Sequence, residues 1–321
     1  MATLITGGTG FLGAEVVRIL EERGDTDLFL FDLHPFTKRI DDLLNRVEII
    51  LGDLGEFSHV LDAVKKVRPR IIYHFGAMLS MPSEIDPSSA FRTNAMGTHH
   101  VLEAARLFEV EQVLFSGTLW TYGSDIQGKT IDDHSLQRPT LFYGATKVFG
   151  EHMGIFYKRR YGLDFRGIRY PFIIGPGARI PGGVQYTCEV IEKCAKGNPY
   201  TMRVKPATRI PVIYIKDAAS AITKLASAPL EQLKRANYVL AGVTPTPSAS
   251  ELVKIVKSRI PEANVEFELN KELQQVLDKL QLKLDDSNAR KEWNWRPEYD
   301  QEGIVKDFLL KLKQNPERYA Y

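Results

Sequence analysis

Short apolar runs recur along the chain at residues 4–6, 28–31, 47–51, 71–75, 113–116 and 165–170, with amphipathic stretches between them. A brief run without polar alternation is what a strand covered on both faces requires, and strands alternating with helices imply a parallel sheet with helices on each side. The intervening pattern is helical: residues 14–23 place Val16, Val17, Ile19 and Leu20 at helical spacing, and residues 101–108 follow Gly97 and end before a return strand. Beyond Pro171 the pattern loosens into Gly175, Pro176, Gly177, Pro181, Gly182 and Gly183, which predicts a loop bordering a site. The sheet is expected to resume at residues 210–215 and 238–240. Helices over 248–259 and 302–313 would then form a smaller C-terminal lobe.

Composition narrows the class. At 321 residues and 44% apolar the chain is globular, and no window approaches the roughly 18 uncharged apolar residues of a membrane span. The N-terminus carries no basic segment and its apolar run leads straight into glycines, so a cytoplasmic protein is expected. Forty-two basic against 40 acidic residues leave +2, which argues against nucleic acid as a partner. Cys188 and Cys194 stand six apart and read as free thiols. The seven histidines show no ligand spacing, so no metal is expected.

The glycines of residues 7–13 (GGTGFLG) sit at Gly7, Gly10 and Gly13, directly after the first apolar run. Missing side chains let such a turn tighten, let backbone N–H groups approach a pyrophosphate, and let the next helix pack on the strand. Asp32 ends the second run, 19 residues after Gly13, where a carboxylate accepts from both ribose hydroxyls and repels a 2′-phosphate. NAD is therefore expected over NADP, although Lys38 and Arg39 lie near enough to hold a phosphate. Asp53, in LGDL, is placed for the adenine edge or for a strand-end turn.

Tyr143 and Lys147 stand at i and i+4, on one helix face, and of 13 tyrosines only Tyr143 has lysine at that spacing. An ammonium beside a phenol oxygen pulls its pKa of about 10 toward neutrality, giving a group that exchanges a proton with a substrate oxygen. Thr118 follows the fifth run and offers a hydroxyl to the same oxygen, with strand capping as its other reading. Asn94 is expected to brace the helix facing Lys147, or to cap one.

GGTGFLG, Asp32, LGDL, HFGA, NAMGT, FSGTLWTYG and YGATK resemble, in order and spacing, the extended short-chain dehydrogenase/reductase family over nearly the whole chain. Within it the chain is most similar to the short-chain type of L-threonine 3-dehydrogenase, through AMLS (77–80), RYPFI (169–173), TRIPVIYIKDA (208–218) and DDSNARKEWNWRPEYD (285–300). The resemblance implies a Rossmann-type doubly wound α/β sheet, a Thr118–Tyr143–Lys147 mechanism with Asn94 in support, and substrate contact by Ser80. It also implies a homodimer through a four-helix bundle built from the helices around Asn94 and Tyr143, with Phe149, Met153 and Phe156 on the latter. Two segments depart. The subfamily's GTTDY is Gly182 to Tyr186 here (GGVQY), without the two threonines and the carboxylate. Its Trp-Pro before the DDS segment is also replaced, with residues 278–281 (DKLQ) in that region.

The expectation is an NAD-dependent oxidoreductase acting on a small secondary alcohol, a hydroxy amino acid of the threonine kind favoured. Residues 1–170 plus about 210–241 would bind NAD, and 171–209 plus 242–321 would form the substrate lobe. Cofactor contacts fall on Gly7, Gly10, Phe11, Leu12 and Gly13; on Asp32, Leu33, Asp53 and Leu54; and on Phe75, Gly76 and Ala77. Asn94, Tyr143, Lys147, Tyr170, Pro171 and Ile173 complete them, with Pro171 and Ile173 against the nicotinamide. Substrate contacts fall on Ser80, Thr118, Leu119, Tyr143, Arg179 and Gln185. The alternative is a nucleotide-sugar 4-epimerase with tightly held NAD; against it, Pro171 and Phe172 stand where that group has asparagine after RYF, while Arg209 remains available to a phosphate. A sugar dehydratase lacks its Asp-Glu pair, replaced by Leu119 and Trp120. A silent NAD-binding scaffold is disfavoured because both Tyr143 and Lys147 are present.

Overall fold

The computed structural model describes residues 2–126, 130–179 and 183–319. Seven parallel strands form one sheet: β1 (Thr3–Thr6), β2 (Leu28–Asp32), β3 (Val47–Leu51), β4 (Ile71–His74), β5 (Gln112–Thr118), β6 (Asp164–Tyr170) and β7 (Asn237–Val239), in the order β7-β6-β5-β4-β1-β2-β3. The order reverses between β1 and β4, and the crevice beyond their carboxyl ends is where such sheets bind ligands.

Period-two alternation sorts the strands between two cores. Ile5, Leu30, Leu114 and Ile168 face one way, onto α1 (Phe11–Glu22) and α6 (Ile215–Ser227). Leu4, Phe31, Val113, Phe115 and Phe165 face the other, onto α2 (Phe57–Val67), α3 (Gly97–Leu107) and α4 (Phe142–Tyr161). Because both faces are covered, the strands read as unbroken apolar runs. The first core continues through α5 (Tyr186–Ala195) and α7 (Ala249–Arg259) to Trp295 and to Phe308 of α8 (Gln301–Gln314), so the C-terminal elements share it. Both cysteines are buried and free. Among the described residues no helix is long and apolar enough to cross a membrane.

One expected strand does not join the sheet. Val212–Tyr214 pairs in parallel with Phe172–Ile174 in a separate two-stranded ladder, and β7 takes the place beside β6 instead. The cause is Pro171: it has no N–H for a ladder, so β6 ends at Tyr170 and the chain that follows pairs elsewhere. The expected helix 101–108 also begins earlier, at Gly97, continuing directly from a π-helical stretch, Phe91–Met96, that holds Asn94.

Candidate active site

The glycine turn lies at the carboxyl end of β1. Gly7 has φ +67°, open to glycine at little cost, and a Cβ on Gly13 would stand 2.2 Å from the Gly7 carbonyl oxygen. The turn therefore closes only because both side chains are missing, and it presents the start of α1, with Gly10 at its N-cap, Phe11 and Leu12 in its first turn and no side-chain cap. Backbone N–H groups left in this way suit a pyrophosphate. Phe75, Gly76 and Ala77 run alongside: the Gly76 N–H donates to Thr6 Oγ1 (3.2 Å), and a Gly76 Cβ would meet Leu54.

Asp32 is held by Thr9, whose N–H and hydroxyl both donate to Asp32 Oδ2 at 2.8 Å. Burial pushes the Asp32 carboxyl up, and the Thr9 bonds oppose that. Reading the sequence alone misses Thr9; its signal is the threonine inside GGTGFLG. Leu33, next along, is exposed. The Arg39 guanidinium is committed elsewhere, donating to the Gly177 carbonyl at 3.0 Å and lying over the rings of Phe11 and Phe36, which strengthens the preference for NAD. Asp53 accepts from the Gly55 N–H (2.8 Å) and faces Arg92 at 3.9 Å. This is the strand-end turn geometry, the second of the two readings the sequence offered for Asp53.

Asn94 is buried and grips the chain after β4: its Oδ1 accepts from the Met78 N–H (2.7 Å) and its Nδ2 donates to the Met78 carbonyl (2.9 Å) and to Thr146 Oγ1 (3.3 Å). It thus fixes the segment leading to buried Ser80 and touches α4 one residue before Lys147. His74, which the sequence places in HFGA without marking its role, is fully enclosed, 2.7 Å from Thr6 Oγ1 and 3.0 Å from Thr98 Oγ1; burial and then the Lys147 charge lower it to about 3, so it is neutral.

Thr118 ends β5, and its hydroxyl accepts from the Trp120 N–H at 3.2 Å, the capping geometry. Buried Leu119 follows, packed with Tyr122, Ile131 and Val239. A Cβ on Gly144 would stand 2.0 Å from the Trp120 carbonyl oxygen, so glycine is what lets the first turn of α4 seat on the loop after Thr118. Tyr143 is carried there with it. Tyr170 donates its phenol proton to the Ala218 carbonyl (2.9 Å), Pro171 is buried, and half-buried Ile173 lies in the short ladder. Trp120 meets Phe172 edge-on at 5.6 Å.

The expected acidification of the phenol is not what the structure shows. Lys147 Nζ donates to the Ser116 carbonyl at 3.0 Å and lies 4.9 Å from the Phe115 ring centroid and 5.7 Å from that of Tyr143. Burial raises the Tyr143 phenol well above its ordinary value. The same burial lowers Lys147 to about 8, with Glu151 pulling upward. Helical spacing put both residues on one face, but desolvation outweighs their mutual attraction and a backbone carbonyl takes the ammonium.

That burial has a measurable cost. A fall from 10.5 to about 8 corresponds to about 3 kcal/mol at neutral pH. The folded state holds this proton less tightly than the unfolded chain, so the cost is full below about pH 8 and shrinks as pH rises toward 10.5. Urea unfolding should therefore find Lys147→Met more stable than wild type near neutrality, with the gap narrowing at about pH 10; a variant no more stable at neutrality contradicts the assignment.

Arg179 and Gln185 both donate to the Ala178 carbonyl, at 2.8 and 3.0 Å, and Arg179 also pairs with Glu192 at 3.3 Å. These bonds tie Arg179 and Gln185 to Ala178, and Arg179 to Glu192 of α5. Gly182 lies outside the described residues.

Comparison with known proteins gives the family of the chain. The model of the NAD dependent epimerase/dehydratase family matches residues 3–241. The mitochondrial L-threonine 3-dehydrogenase of Bos taurus is 32% identical over 308 residues, 95% of this chain and 81% of that protein. The L-threonine dehydrogenase of Clostridium difficile superposes with a TM-score of 0.88 at 26% identity, covering 98% of both chains. The UDP-glucose 4-epimerase of Thermus thermophilus, solved in complex with NAD, gives 0.78 at 26% identity, over 97% of this chain and 99% of that one. The glycine turn, the Thr9-held carboxylate and these matches lead to one conclusion: the chain belongs to the NAD-dependent epimerase/dehydratase family, is an enzyme, and uses NAD.

Proposed function

We propose that the protein oxidises the carbinol of a small hydroxy amino acid of the L-threonine kind, with Tyr143 as the group that takes the hydroxyl proton. The observation carrying this is the seating of α4 on the loop after Thr118 at Gly144, which brings the Tyr143 turn to the end of β5. Gly7, Gly10, Gly13 and Asp32 hold the dinucleotide, Tyr170, Pro171 and Ile173 border its reactive end, and NAD supplies the hydride acceptor. Thr118 and Ser80 orient the substrate hydroxyl and amino acid, with Arg179 and Gln185 as the loop residues nearest in role. Asn94 fixes the Met78–Ser80 segment against α4. Lys147 is the charge that stabilises a phenolate once its side chain turns from Ser116 to the phenol. Residues 171–209 and 242–321 serve as the substrate side.

A second reading is epimerisation of a nucleotide sugar. A cleft of about 680 Å³ in the C-terminal part, lined by Arg209, Glu251, Gln281 and Lys283 among others, exceeds what a four-carbon amino acid needs. Arg209, however, forms a two-pronged pair with Glu251 (2.8 and 3.0 Å), so its charge is already matched. Phe149 and Phe156, both 39% exposed on α4, and Leu107 on α3 support a homodimer through these helices, whereas Met153 packs inward. The test is NADH formation from L-threonine and other hydroxy acids, beside a UDP-sugar panel read for epimers, with sedimentation on the same preparation. NADH from a hydroxy amino acid by a dimer is expected; epimer formation without net NADH, or a monomer, would overturn the corresponding part.

A further inference from the structure

We infer that Arg39 is a positioning residue that couples the nucleotide-binding carboxylate Asp32 to the loop Gly175–Arg179 on the substrate side. The inference rests on the NAD and substrate-loop reading above. The linkage is continuous. Thr9, which donates twice to Asp32, also accepts from the Phe36 N–H at 3.0 Å, so the start of the loop after β2 is tied to the same hydroxyl. The Arg39 guanidinium carbon lies 5.5 Å from the Phe36 ring centroid and 5.3 Å from that of Phe11, the first residue of α1. From this position Arg39 Nη2 donates to the Gly177 carbonyl at 3.0 Å. The Gly177 N–H in turn donates to Glu192 Oε1 at 3.0 Å, and Glu192 pairs with Arg179.

Arg39 is itself held from behind. Its carbonyl accepts from Arg18 Nη2; Arg18 pairs with Asp42 at 3.0 Å, and Asp42 with Arg318 at 3.2 Å near the C-terminus. A planar cation lying over two rings, with one Nη2 donor on a backbone carbonyl, transmits a displacement that a flexible ammonium would absorb. Ligation of Asp32 changes the load on Thr9 and hence on Phe36, and Arg39 carries that change 138 residues along the chain to Gly177. A chain of contacts becomes coupling only when one end is shown to respond to the other.

Hydrogen exchange at the amides of residues 175 and 177–179, with and without NAD, supplies that evidence, alongside NAD titrations by tryptophan fluorescence. In wild type NAD should slow exchange there by about 10-fold. Arg39→Ala should still bind NAD, within about 10-fold of wild type, yet lose the slowing; Arg39→Lys should not restore it. Phe36→Ala, which removes one ring at the surface, should weaken the response if Arg39→Ala folds poorly. Undiminished slowing in Arg39→Ala, or in Phe36→Ala should that alone fold, overturns the coupling, as does NAD binding to wild type without slowing. Failure of NAD to bind wild type would remove the nucleotide reading itself, and the inference with it.

Discussion

Replacing Tyr143 by phenylalanine should lower turnover by about 10²–10⁴-fold, the range ascribed to a positioned proton donor or acceptor. The substitution removes one oxygen and leaves the ring in its buried place on α4, so packing against the loop after Thr118 persists. NAD affinity should stay near wild type, because Gly7, Gly13 and Asp32 are untouched. Steady-state rates with NADH detection, together with an NAD titration of the variant, check both halves. A loss of NAD binding equal to the loss of rate would mean that the phenol holds the cofactor and does not move the proton; an unchanged rate would remove Tyr143 from the chemistry.

The largest loss of stability is expected from Arg169→Ala. Arg169 donates through Nε and Nη2 to Glu151 (2.7–3.1 Å), through Nη1 to Tyr122 Oη (3.0 Å) and the Asp133 carbonyl (3.2 Å), and through Nη2 to Gln137 (3.3 Å). Glu151 is 1% exposed and one turn beyond Lys147, so truncating its partner strands a buried carboxylate. Such a loss costs about 3–5 kcal/mol, and in a chain of this size lowers the melting temperature by about 4–7 °C. The double change Glu151→Met with Arg169→Met should be milder, since neither member of the pair is left behind as a buried charge. Calorimetry of the three proteins decides it: equal melting points for wild type and Arg169→Ala would mean that the pair contributes no net stability. Activity should fall in Arg169→Ala as well, because the same network spans α4, β6 and the segment after Thr118.

Much of this was legible in the chain. The strands showed as apolar runs because helices cover both faces, and the cofactor turn showed because Gly13 has backbone within 2.2 Å of where its Cβ would be. Tyr143 and Lys147 showed because a helix repeats on every fourth residue. What stayed hidden depends on partners that leave no mark in local sequence. The Ser116 carbonyl that takes the Lys147 ammonium is a backbone group present at every position. Arg169 and Glu151, 18 residues apart, and Arg39 and Gly177, 138 apart, meet only in the folded chain. The misassigned strand at 210–215 had the right composition, but one missing N–H at Pro171 redirected its neighbour and the pairing followed.

The most direct test uses L-threonine carrying deuterium on its carbinol carbon. Wild-type protein with NAD should produce deuterated NADH in step with oxidised product, slowed by the label, and Tyr143→Phe should produce almost none. Wild-type protein that leaves the label on threonine, while exchanging configuration at a nucleotide sugar with no net NADH, would contradict the account.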